Sequence, residues 1–279
     1  MKIFDRLSLG WTLGIRSLGL IKDHPKLLLF PILSGLSMLL ILLSFGGAFL
    51  GLTGFDPEII ESIIVKMEEA GDLVFWGATF VFYLVTYFIV VFFNSALVYN
   101  ARVIFQGGEP SIRKGLSFSV SRFPQILAWA GLAATIGLLL QAIEDKLGSW
   151  VSGLLGFAWS LATYFVVPAL VAEDISPIEA LKRSSRTMKN HWGESIGVGF
   201  SLGIFSLLGM LSAAVIGVLF GYAFHPAVGV LAAVLTVLLT IVVNSAARQV
   251  FLTAVYEHTE GNTPKEFDGD VLDEAFIVK

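Results

Sequence analysis

The 279-residue sequence contains no cysteine, so it can form no disulfide, no thiolate metal site and no cysteine nucleophile. It is also short of charge. Lys, Arg, Asp and Glu make up 14% of it, against 56% hydrophobic residues and a mean hydropathy of +0.81. A soluble protein of this size could not hide that much apolar surface. Its four histidines, His24, His191, His225 and His258, all lie outside the apolar blocks, and no Asp, Glu, Lys or Arg stands in the middle of a block. That absence disfavours ion-coupled or proton-coupled transport, which needs a titratable or coordinating group at membrane depth.

The long apolar run is what the chain has in quantity. Six blocks, about 27–54, 73–99, 123–141, 150–172, 196–221 and 226–247, match the ~20 residues that a helix needs to cross a ~30 Å hydrocarbon core. They are apolar on every side rather than alternating, which dismisses a β-barrel and leaves helices to satisfy the backbone. The expected fold is all-α: a polytopic membrane protein with one transmembrane domain over 1–256 and an acidic cytoplasmic tail over 257–279. Met1 to Lys26 has neither the apolar stretch nor the cleavage site of a secretory signal, so no removal is expected.

Charge distribution orients the spans. From the N-terminus, the successive hydrophilic segments carry five, one, four, one, four, no and three Lys or Arg residues, so sixteen of eighteen fall on one side. Basic residues beside short loops resist translocation, which puts both termini in the cytoplasm. The outer side is acidic, with Asp56, Glu58, Glu61, Glu68, Glu69 and Asp72 in its largest loop and Glu144 and Asp145 in the next.

Each odd-numbered span follows a stretch that reads as a cytoplasmic amphipathic surface helix, at about 4–22, 111–122 and 177–192. In the first, Phe4, Leu7, Trp11, Ile15 and Leu18 share a face. In the third, Ile178, Leu181, Ser185, Met188 and Trp192 oppose Lys182, Arg183, Arg186, Lys189 and Asn190. Thr86-Tyr87-Phe88-Ile89-Val90-Val91 in the second span recurs as Thr163-Tyr164-Phe165-Val166-Val167 and more weakly from Thr240, while Asn94-Ser95-Ala96 recurs as Asn244-Ser245-Ala246. The pattern suggests three pseudo-repeated hairpins, each introduced by a surface helix. A fourth surface helix is expected outside, at about 57–70, where Asp56 can cap and Pro57 can open the first turn.

Trp159, the run Tyr164 to Pro168 and the run Pro177 to Ser184 resemble a prokaryotic family of six-span membrane proteins of unknown function. His24 to Pro31 and Gly107 to Pro110 fit it too. The resemblance implies a bacterial or archaeal cytoplasmic membrane protein and supplies no activity. The opening is also faintly similar to that of a sulfate-permease family, as many amphipathic helices followed by an apolar run would be.

Gly199-Phe200-Ser201-Leu202-Gly203 matches the G-x-S-x-G of serine hydrolases, but it lies inside a span and no histidine stands in the next one. Small-xxx-small helix contact is the better reading, as for Gly47 with Gly51 and Gly217 with Gly221. Asn94, Ser95, Asn244 and Ser245 are the polar residues at membrane depth. They can line a pore or solute site, or serve as interhelical hydrogen-bonding glue. Pro168 should kink the fourth span. Lys182, Arg183, Arg186 and Lys189 suit anionic lipid headgroups on the cytoplasmic side better than nucleic acid. No enzyme activity and no metal or cofactor is expected. Two functions remain: a scaffold, lipid-organising protein or complex subunit, with the bilayer, a second copy or a membrane complex as partner, and an uncoupled channel or permease for a small solute or ion.

Overall fold

The computed structural model describes residues 3–54, 56–69, 72–262, 264 and 267, with side chains from Trp11 onward except 48–50, 52–53, 63–64, 66–69, 72–73 and 190–200. The described residues form α1 (Ile3–Asp23), a 3-10 turn (Pro25–Leu28), α2 (Leu29–Thr53), α3 (Pro57–Glu69), α4 (Asp72–Phe105) and α5 (Ile112–Ser121). There follow α6 (Phe123–Leu147), α7 (Ser149–Ala162), α8 (Val166–Ala172), α9 (Pro177–Ala223) and α10 (Pro226–Thr259). Six helical segments are long and apolar enough to span a membrane. In the first, fifth and sixth only 11% of the most apolar window is buried by protein. The remaining surface, such as Leu40, Val218 and Val230, therefore faces lipid.

Prolines set several of the boundaries. Pro177 and Pro226 each stand in the first turn of a long helix, where a missing N–H costs nothing. No proline lies between them before the turn at His225, so the third surface helix and the fifth span, separated in the sequence reading, form one 47-residue helix. Ser176 opens it with a capping box: its hydroxyl accepts from Glu179 N–H while the Glu179 carboxylate accepts from Ser176 N–H. The fourth span is broken, as Pro168 implies, but at Thr163–Phe165. The proline ring excludes the carbonyl four residues earlier, at Tyr164, so the helix restarts with Pro168 in the first turn of α8. After α2, Asp56 Oδ1 accepts from Glu58 N–H and caps α3 as expected.

The amphipathic stretches dock on protein. In α1, Leu13, Ser17, Leu20 and Ile21 are buried against α9 and α10; of the apolar face read from the sequence, Leu18 is half-buried and Trp11 and Ile15 are exposed. Phe4 and Leu7 lie outside the described side chains. In α9, Ala180, Ser184, Thr187 and Met188 are buried and Ile178 is exposed; Trp192 lies outside the described side chains. Helix α5 folds back along α4: Asn100 Oδ1 accepts from Ser111 N–H, and Ser119 Oγ donates to Phe92 carbonyl at 2.8 Å. Gly115 lies against Asn100, Ala96 and Phe30, where any side chain would collide.

Helices α4 and α10 outrun their apolar blocks, since a helix continues wherever one face is still covered. Val250, Phe251, Val255 and Tyr256 remain buried past the expected end of the sixth span. The expected tail boundary at 257 thus falls inside α10. Glu257 is buried, and Phe267 packs edge-on against Phe105. Residues 268–279 lie outside the described residues.

Candidate functional site

Asn94, Asn244 and Ser245 are brought together by the fold. They line a cavity of about 810 Å³ between α4, the break joining α7 to α8, α9 and α10. Ser95 does not share it. Successive helix residues point about 100° apart, and its side chain is buried on another side of α4 with its hydroxyl unpartnered. On α10, Asn244, Ser245, Arg248, Gln249 and Leu252 recur at the helical spacing that gives one face, and this face forms one wall. The break supplies Thr163 and Tyr164, and α9 supplies Leu202, Gly203 and Ser206.

Several of these polar groups are already engaged, Thr163 Oγ1 by donating to Trp159 carbonyl at 2.9 Å. Asn244 Nδ2 donates to Leu202 carbonyl at 2.9 Å and to Ser206 Oγ, fastening α10 to α9. The amide is therefore glue on its nitrogen side, while its buried Oδ1 has no partner. Gln249 Oε1 is likewise buried and unpartnered. Arg248 places its guanidinium 5.0 Å over the Tyr164 ring, and among the described residues no carboxylate pairs with it. No carboxylate lines the cavity. Arg248 itself is exposed. Its place four residues after Asn244 is the signal that ties it to the site.

The break that shapes this wall is held by α9. Phe165 N–H donates to Ser184 Oγ at 2.9 Å, and Ser185 Oγ donates to Ala162 carbonyl at 3.3 Å and to its own Leu181 carbonyl. Two adjacent serines thus satisfy backbone groups that the interrupted helix leaves open.

The basic cluster divides. Lys182, Arg186 and Lys189 are exposed. Arg183 is committed to protein: it donates twice to Glu173, at 3.0 and 3.2 Å, and lies 3.6 Å from Glu260. The Tyr256 hydroxyl also donates to Glu173. Beside them Arg102 pairs with Glu257 at 2.5 Å and reaches Val171 carbonyl, and Asp174 receives Arg122 and Gln125. These bonds link the ends of the second, fourth and sixth spans to the starts of the third and fifth. Six alternating passes place all of those ends on one side.

Ser201, of the G-x-S-x-G match, is buried within α9 against Gly14 of α1. Gly217 and Gly221 pack on Gly229 and Pro226, as expected of small residues. Among the described residues nothing lies within 4 Å of a Cβ at Gly47, Gly51 or Gly203, so those contacts are not seen there, and the surroundings of Gly199 lie outside the described residues. Among the described residues no three His, Asp or Glu side chains cluster as a metal site.

The sequence profile of a family of unknown function (DUF6159) matches residues 73–265. That region contains every residue lining the cavity and every ion pair described above. No curated protein matches the chain.

Proposed function

The chain belongs to the DUF6159 family, whose function is open, and from its own residues we propose a non-catalytic component of a prokaryotic cytoplasmic membrane that gathers anionic lipid in the cytoplasmic leaflet. The observation carrying this reading is that Lys182, Arg186 and Lys189 stay exposed on the stretch of α9 that precedes its apolar segment. Each contributes about 1 kcal/mol of attraction to an anionic surface. Spin-labelled lipids report which species are held next to the protein in reconstituted vesicles. Phosphatidylglycerol should be enriched over phosphatidylcholine, and the triple Lys182→Gln, Arg186→Gln, Lys189→Gln variant should lose at least threefold of that preference. Equal selectivity in the two proteins overturns the reading.

A second reading, an uncoupled permease for a small solute or ion, draws support from the shared cavity of Asn94, Asn244 and Ser245. Flux into protein-containing liposomes, abolished by Asn94→Leu, is its expected signature. Absence of flux for small anions and neutral solutes counts against it.

A further inference from the structure

The cavity beside Arg248 is amphipathic along the membrane normal. Arg248 lies 22 residues beyond Pro226, about 33 Å along α10, which is one hydrocarbon thickness and so the depth of cytoplasmic headgroups. Phe157 lines the same cavity seven residues before Tyr164, about 10 Å deeper into the membrane. Phe157, Ser160 and Gly203 are exposed members of the lining and belong to the fourth and fifth spans, so the cavity opens sideways onto lipid.

Its polar end states what it lacks. The Arg248 guanidinium is exposed, rests on Tyr164 and has no carboxylate beside it among the described residues, so it is free to pair with an anion. Two buried carbonyl oxygens, Asn244 Oδ1 and Gln249 Oε1, accept from nothing and call for hydrogen-bond donors. The Asn244 orientation is fixed, because its nitrogen must face the Leu202 carbonyl. A free anion satisfies Arg248 alone. An ammonium headgroup supplies donors but finds no counter-charge in the lining. A phosphate diester bearing hydroxyls supplies both needs, and an acyl chain fits the apolar side mouth. About 810 Å³ is within the range of ordinary ligand sites.

We propose that this cavity binds one hydroxyl-bearing anionic phospholipid of the cytoplasmic leaflet, with its phosphate on Arg248 and its headgroup hydroxyls donating to Asn244 Oδ1 and Gln249 Oε1. The site deepens the lipid reading but is separate from the exposed cluster on α9. The test is titration of the detergent-solubilised full chain with dihexanoyl phosphatidylglycerol, dihexanoyl phosphatidylcholine and glycerol 3-phosphate. Phosphatidylglycerol should bind at least tenfold tighter than either other probe, and Arg248→Gln should remove that advantage. Because Arg248 also stacks on Tyr164, Gln249→Leu serves as the variant that leaves this contact in place; it should weaken phosphatidylglycerol severalfold and phosphatidylcholine not at all. Glycerol 3-phosphate binding as tightly as the lipid makes this a small-anion site and overturns the proposal. So does a loss of binding in the Lys182, Arg186, Lys189 triple variant that Arg248→Gln and Gln249→Leu do not share, a result that leaves the surface reading standing.

Discussion

At the scale of single residues, Glu173 is where the charged contacts at the span ends converge. Burial pushes its carboxyl pKa up, but the paired hydrogen bond from Arg183, the Tyr256 hydroxyl and the Arg183 charge outweigh burial and hold it below the ordinary 4.5. Arg183 is shifted upward, first by its hydrogen bonds to Glu173, and stays charged throughout. A carboxylate whose folded pKa is depressed contributes stability that is present above its unfolded pKa and is lost as pH falls through the folded value. Glu173→Gln should therefore lower unfolding free energy at neutral pH by about 2 kcal/mol, the usual loss for hydrogen bonds to a charged group. The difference from the unaltered chain should shrink once the pH is taken below about 4. Denaturant unfolding followed by tryptophan fluorescence, in one detergent across the pH range, measures it. A constant difference at every pH assigns the loss to packing instead.

At the scale of elements, the α9–α10 pair is closed by small residues on both sides. A Cβ on Gly229 would run into the backbone of Gly217 and Gly221, whereas one on Gly47 of α2 would meet nothing. Gly229→Ala should thus destabilise by about 1–3 kcal/mol through overpacking, and Gly47→Ala should be neutral or gain up to about 1 kcal/mol from helix propensity. Thermal unfolding of the two variants under identical conditions checks the contrast. It also marks where the sequence stops being informative. Uniformly apolar blocks announce how many spans exist, but not which side of each meets a neighbour, so Gly217 and Gly221 were readable as a contact while Gly47, Gly51 and Gly203 were misread. Nor does hydropathy announce which side of α9 meets protein, where the hydrogen bond from the break at Phe165 turns Ser184 inward. In the cavity, Asn94 and Asn244 were legible because their strings recur. The pairing of Arg102 with Glu257, 155 residues away, follows no spacing rule that a single sequence carries.

At the scale of the whole molecule, burial is uneven. Fully covered residues such as Leu27, Ala96, Phe165, Ala246 and Phe251 gather where the spans meet α1, α5 and the charged network, while Leu43, Leu154, Leu208 and Val234 farther along the spans stay exposed. Lipid tails give helices little reason to bury apolar side chains against one another, but water at a membrane face does. The tight end is thus the one where the chain gathers its extra helices and its ion pairs, and it is also the end holding sixteen of the eighteen basic residues. Packing against water fits either membrane face, so the basic residues alone argue for turning that end toward the cytoplasm. A chain without cysteine lets this be tested one thiol at a time. Lys22, Lys189, Glu61 and Asp145 are all exposed, so burial will not mask a result. In intact cells a membrane-impermeant maleimide should label Glu61→Cys and Asp145→Cys. It should reach Lys22→Cys and Lys189→Cys only after the membrane is opened. Labelling of the lysine-site variants in sealed cells would invert the topology, move Arg248 to the outer leaflet and with it the lipid expected in the cavity.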